Sequence, residues 1–154
     1  MKNMSHQHPY RRLFLMSLLA FAVMYVLMYA MVDRLANVYT SLNQVYMALL
    51  MTGAMVLVEL ALMTSMYPDR RSNLIATAAS LAFLLVAWFG IRKQTAIGDR
   101  QFLRSMIPHH GGAILMCQQA ALTDPELIAL CQRIVQGQQG EIEQMKAALE
   151  HRGT

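Results

Sequence analysis

Three long apolar runs and one pair of periodic segments divide the chain by hydropathy. Residues 13–32, LFLMSLLAFAVMYVLMYAMV, carry no charge. At about 1.5 Å per residue such a run crosses a hydrocarbon core of about 30 Å. A secretory signal would have a shorter apolar core and small residues at its cleavage site. Tyr25 and Tyr29 stand where those would be needed, so the run is expected to be a retained transmembrane helix. A second run, 45–67, holds one carboxylate, Glu59, and a third covers 74–91. PDRRSN, residues 68–73, reads as the turn between them.

Beyond residue 92 the apolar positions become periodic, as in surface helices. Gly98 can end the third span, and Asp99 can cap a new helix over 99–122, with a kink expected at Pro108. TDPE at 123–126 is a second start signal. Either Thr123 and Glu126 form a capping box, or Asp124 caps with Pro125 at the first helical position. This second helix is expected to reach about residue 150. The predicted fold is therefore all-α: a tail 1–12, a membrane region 13–92, and an antiparallel helical hairpin 99–150. A hairpin that small buries little core alone. It is expected to pair with a second copy into a four-helix bundle, or to pack on the membrane part.

Only 14% of residues are charged, against about 25% in soluble domains, which favours the lipid bilayer as the main partner. Lys and Arg are scattered with no basic stripe interleaved with aromatics, so no nucleic-acid partner is expected. Their bias does orient the spans. Lys2, Arg11 and Arg12 precede the first, and Arg70 and Arg71 lie between the second and third, whereas the first loop has only Arg34. This predicts a bacterial inner-membrane protein with a cytoplasmic N-terminus and an outer hairpin, periplasmic in a Gram-negative cell. Arg92 and Lys93 run against the bias.

The candidate chemistry lies in MIPHHGGAILM, residues 106–116. On a helical wheel Phe102, Met106, His109, His110, Ala113, Met116, Cys117 and Ala120 share one face. On the second helix Leu127, Leu130, Cys131, Ile134, Val135, Gln138, Glu141, Ile142, Met145 and Leu149 form the stripe. Folding the helices back about residue 124 sets Cys117 opposite Cys131. It sets His109 and His110 opposite 138 and 139, one turn from Glu141, and brings Met106 towards Ile142 and Met145. Polar groups on both stripes thus meet at one level, as in bundle sites where His and carboxylates project inward.

Residues 99–149 resemble the family called domain of unknown function 305. The residues that carry the likeness are Asp99, Phe102, MIPHH at 106–110, GAI at 112–114, Met116, Pro125 and Glu126, and QQGEIEQM at 138–145. They cover about a third of the chain and none of the spans. The resemblance implies a ferritin-like helical fold. It also implies copper, since some members are periplasmic or secreted copper binders using Met and His. The chain departs from the pattern at Gly111, where Gln is frequent, at Cys117 and Cys131, where Ala is usual, and at Ala148, where Trp is common.

Two readings of the histidines follow. They are metal ligands, or a hydrogen-bonded polar layer with Gln138 and Glu141 that fixes bundle register. Thioether, thiolate and imidazole donors favour copper, Cu(I) above all. The metal candidates are His109, His110, Met106, Met116, Glu141, Gln138, Met145, Cys117 and Cys131, with Glu141 and Gln138 expected to orient the imidazoles. The cysteines fit a disulfide, soft-metal ligation or plain packing. Met47, Met51, Met55, Met63 and Met66 wind around span two and read as a metal path or as adaptable filler. Glu59, an intramembrane carboxylate, is a functional candidate by position, with Thr52, Thr64, Tyr25 or Tyr29 as partner; it also reads as a neutral, protonated packing residue or as one near the interface. Met1, Met4, His6 and His8 could hold a soft metal loosely, but a disordered start is the favoured reading. The expected function is membrane-anchored copper buffering, tolerance or delivery; the alternative is a metal-free interaction module. No nucleophile–base–orienter set is visible, so an enzyme, a small metal oxidoreductase, is the least supported class.

Overall fold

The computed structural model describes residues 9–151, so Met1, Met4, His6 and His8 lie outside it. It is all-α: α1 (Pro9–Leu27), α2 (Leu42–Leu62), α3 (Arg70–Lys93), α4 (Asp99–Gln119) and α5 (Pro125–His151). Short 3₁₀ turns occupy Met28–Met31, Leu35–Asn37 and Thr64–Met66. The chain divides into two compact units, Met1–Leu27 with Val45–Thr95, and Met28–Gln44 with Ala96–Thr154.

Among the described residues three helices are long and apolar enough to cross a membrane: Pro9–Met31, with its terminal 3₁₀ turn, Leu42–Leu62 and Arg70–Lys93; the first unit holds most of each. Small residues line the interior. Ala48, Thr52, Gly53, Ser80, Ala87 and Gly90 are buried. A β-carbon on Gly90 would lie 2.9 Å from the Tyr46 ring, and one on Gly53 3.1 Å from Leu84. Large side chains such as Phe14, Leu19, Leu74, Phe83 and Trp88 point outward. Small inside and large outside is the arrangement of helices packed in lipid. A cluster of Leu13, Val56, Leu60 and Tyr67 closes one part of this interior.

Local signals set the ends. Pro9 opens α1, where its missing amide costs nothing. Asp69 caps α3 by accepting from the amides of Arg71 and Ser72, so PDRRSN is mostly the first turn of a helix. The end of α3 corrects the expectation for Gly98. Gln94, in the left-handed region at φ 49°, is the cap, and the Thr95 amide donates to the Gly90 carbonyl. Gly98 is the residue before α4, and Asp99 is its first residue. The helix runs unbroken through Pro108 and ends at Gln119, short of the expected 122. Of the two starts read for α5, Asp124 is the one used, accepting from the Glu126 amide at 2.8 Å.

Glu59 has a different partner from those expected: Tyr67 donates its hydroxyl to it from the turn after α2. Met47, Met51, Met63 and Met66 are exposed, and Met55 packs beside the Leu13–Tyr67 cluster.

The second unit is an antiparallel α4–α5 hairpin with a further layer. Segment 28–44, from between the first two spans, packs along α4. The Leu42 amide donates to the Gln101 side chain, Asn43 to Ser105 and Arg104 to Thr40. Ile107, Ile114 and Ile142 form the core, flanked by Tyr39 of that segment and by Val135, Met145 and Leu149. The Gly111–Gly112 pair admits the segment closely. A β-carbon on Gly111 would lie 2.5 Å from Asp33 Oδ1, and one on Gly112 3.3 Å from the Met31 carbonyl.

Candidate functional site

The wheel chosen for α4 is rotated relative to the buried face. Leu103, Ile107, His110 and Ile114 are buried, whereas Phe102, His109 and Met116 are exposed. The expected face gathered the small and soft side chains. The chain instead buries its branched hydrocarbon, which gains most by leaving water. The two histidines, 100° apart on the helix, therefore part company. Their rings lie edge-on with centroids 6.1 Å apart.

His110 is the inner one. Its Nδ1 lies 2.9 Å from the Met106 carbonyl one turn back, and its Nε2 lies 2.7 Å from Glu141 Oε2 on α5. A carbonyl only accepts, so Nδ1 carries a proton. Nε2 then faces a carboxylate, a second acceptor. Two lone pairs cannot face each other at that distance without a positive charge between them. Either a second imidazole proton or a proton on Glu141 fills the gap. The Met106 carbonyl fixes the ring and its tautomer, the role expected of Glu141 and Gln138, while Glu141 stands at the nitrogen a metal would take. The His110 side chain is 11% exposed and that of Glu141 56%, so the pair is sealed on one side and open on the other.

Met106 is half-buried and Gln138 half-buried one turn before Glu141. Met145 packs by the isoleucine core. Met116 lies with His109 and Phe102 on the exposed stripe, seven residues apart. Cys117 and Cys131 form a disulfide with Cα atoms 5.2 Å apart, as the fold-back register requires. In this state they offer no thiolate, which removes them from the soft-ligand set. Among the described residues no three His, Cys, Asp or Glu side chains converge. One chain brings one imidazole and one carboxylate to a point. That set falls short of the four donors of a closed zinc site. A cation held here would have His110 Nε2 and Glu141 as its side-chain ligands from one chain.

Asp33 was missed by sequence reasoning. Its side chain is 3% exposed against Gly111. Burial pushes its carboxyl up, but hydrogen bonds from Asn37 and Arg34 and the Arg34 charge outweigh that and hold it below the ordinary value. The available signal was the glycine pair itself, which marks a close backbone approach without saying to what.

An uncharacterized protein of Acanthamoeba polyphaga mimivirus is 34% identical over 122 residues, covering 78% of this chain and 78% of that one. No solved structure matches. The family described as a domain of unknown function (DUF305) matches residues 58–149, from the last turn of α2 almost to the end of α5. The likeness thus reaches well beyond the hairpin and takes in the whole of α3. With that match over more than half its length, the chain belongs to the DUF305 family.

Proposed function

We propose that this protein is a membrane-anchored copper-binding protein that buffers, tolerates or delivers the ion through its helical hairpin. The observation that carries the reading is the His110–Glu141 pair, in which an imidazole nitrogen able to ligate a metal lies 2.7 Å from a carboxylate oxygen. A metal ion would compete with the shared proton for the same lone pairs. Met106 and the exposed His109 and Met116 supply soft donors along the approach, and these favour Cu(I). When bound, copper would supply a soft cation held by His110 with Glu141 or Met106. The chain's own residues orient the ring, exclude water on the core side and leave the other side open.

The Lys and Arg bias favours a cytoplasmic N-terminus and a hairpin on the outer side. The disulfide supports that placement, since such bonds persist in oxidising compartments. A bacterial inner membrane with a periplasmic hairpin is the setting that fits both.

The same hydrogen bond also favours a second reading, a metal-free interaction module in which the pair fixes helix register. One experiment separates them. Copper content and Cu(I)-competitor titration are measured on the full-length protein and on His109→Ala/His110→Ala, with unfolding of both metal-free proteins. Loss of copper binding in the variant is expected. Unchanged affinity together with a loss of about 1–3 kcal/mol, the cost of leaving Glu141 without its partner, makes the pair structural and overturns the copper reading.

A further inference from the structure

The hairpin has an open side. On α4 it carries Phe102, His109 and Met116, all exposed, and on α5 Leu127, Leu130 and Glu141, also exposed. It lies away from segment 28–44, which covers α4 at Arg104, Ser105, Gly111 and Gly112. Large apolar side chains left out in a small module mark an interaction surface.

The polar groups on this side sit at its middle. His109 is the central residue of the 21-residue α4, and Gln138 is the central residue of the 27-residue α5. That placement selects an occupant. A twofold axis along the helices keeps equal levels facing each other, and one across them does the same at the midpoint when the two faces overlap along their full length. Either way, a second copy laid on this face brings its own His109 and Glu141 to the same level. The exposed imidazole of one copy then meets the exposed carboxylate or imidazole of the other, with Phe102, Met116, Leu127 and Leu130 covering one another above and below. An α4-length face is about 31 Å long, and two helices make it about 20 Å wide, with axes about 10 Å apart. A footprint of about 600 Å² is close to the ~800 Å² per partner of a stable interface.

We propose that a second copy of this chain covers the open face, and that the copper site is completed only there, by His109, His110 and Glu141 of both copies. The completion rests on the copper reading above; the pairing does not. Each copy has one acceptor pair and an outlying imidazole, too few donors for a closed site. Two copies have four imidazoles and two carboxylates around one centre, the inward-facing His and carboxylate pattern of four-helix bundles. Anchoring both copies in one membrane raises their effective concentration and favours the pairing.

The test uses full-length protein in membranes and in detergent, with Cu(I) as the probe. A cysteine at Ala113→Cys on the open face should be joined to its copy by a bis-maleimide in membranes. Glu143→Cys, on the side facing segment 28–44, should not. Bound copper should reach one ion per two chains. Phe102→Glu/Leu130→Glu, which replaces no candidate ligand, should be monomeric and bind Cu(I) at least tenfold more weakly. Absence of crosslinking at 113, or equal crosslinking at both positions, overturns the pairing whether or not the double variant folds. One ion per chain, bound equally tightly by the monomeric variant, overturns the shared site and leaves the copper reading standing. A crosslinked dimer that takes up no copper overturns the copper reading, and the shared site with it, while the pairing stands.

Discussion

Opening the Cys117–Cys131 bond tests the register on which His110 and Glu141 depend. The bond closes the α4–α5 turn with a sequence separation of 14. In the chain-entropy account a loop of that length restricts the unfolded chain by about 10 cal/mol/K, or about 3 kcal/mol at 25 °C. The bond lies at the end of the hairpin beside exposed residues such as Gln118 and Ala120. Two serines there leave no large void, so the loss should be mainly this entropic one. Amide hydrogen exchange over 99–151 reads it directly in detergent. For amides that exchange through opening of the whole hairpin, about 3 kcal/mol corresponds to protection falling about 100-fold in Cys117→Ser/Cys131→Ser. Amides of α1–α3 should keep their protection, since the unit they occupy contains neither cysteine. Protection in α4 and α5 unchanged to within about threefold would refute the reasoning. So would mass-spectrometric mapping that places either cysteine in a different bond.

Three further outcomes follow from the packing. Gly111→Ala gains about 1 kcal/mol of helix propensity but forces a β-carbon onto Asp33 Oδ1. Overpacking of about 1–3 kcal/mol should win, and the same change in an Asp33→Ala background should turn neutral or stabilising when both are compared by chemical unfolding. Asp33 itself, held below the ordinary carboxylate value, contributes stability that is fully present above the unfolded value of about 3.9 and is lost as pH falls through its lower folded value. Acid titration of hairpin unfolding should show that loss, and Asp33→Asn should flatten it. Gly90→Val would drive a side chain into the Tyr46 ring and should cost about 1–3 kcal/mol, seen as a lower detergent-unfolding midpoint; no change would mean that α2 and α3 do not pack through this contact.

The coarse fold was legible because lipid and water impose the strongest patterns a sequence carries. Residues 13–32, 45–67 and 74–91 read as spans from apolarity alone, and each lies largely within an observed apolar helix. Their ends were less clear, because caps use geometry rather than composition. Gln94 ends α3 in a left-handed conformation that glycine usually takes, and Asp69 caps from within a segment read as a turn. Equal spacing about residue 124 found the cysteine pair. The α4 face was misjudged because it was chosen by ligand character. The branched residues Leu103, Ile107 and Ile114 set the buried direction, which turns His109 and Met116 outward. The partner of Glu59 was sought within the spans, but Tyr67 reaches it from the following turn.

Segment 28–44 could not be inferred at all, because contacts between distant parts of a chain leave no local period. Yet it accounts for the feature that most marks this sequence, the run His109-His110-Gly111-Gly112. Successive residues of a helix point about 100° apart, so four in a row sample every side of α4. His109 faces the open side and His110 faces α5, where Glu141 meets it. Gly111 faces the Asp33 carboxylate and Gly112 the Met31 carbonyl. The two glycines let segment 28–44 close one flank of the helix. The buried imidazole is then reached from the flank that His109 occupies, where the Glu141 carboxylate is also exposed. Under the copper reading proposed above, a cation arriving at His110 would pass the second imidazole first, and the paired histidines would have distinct tasks, one to meet the ion and one to hold it.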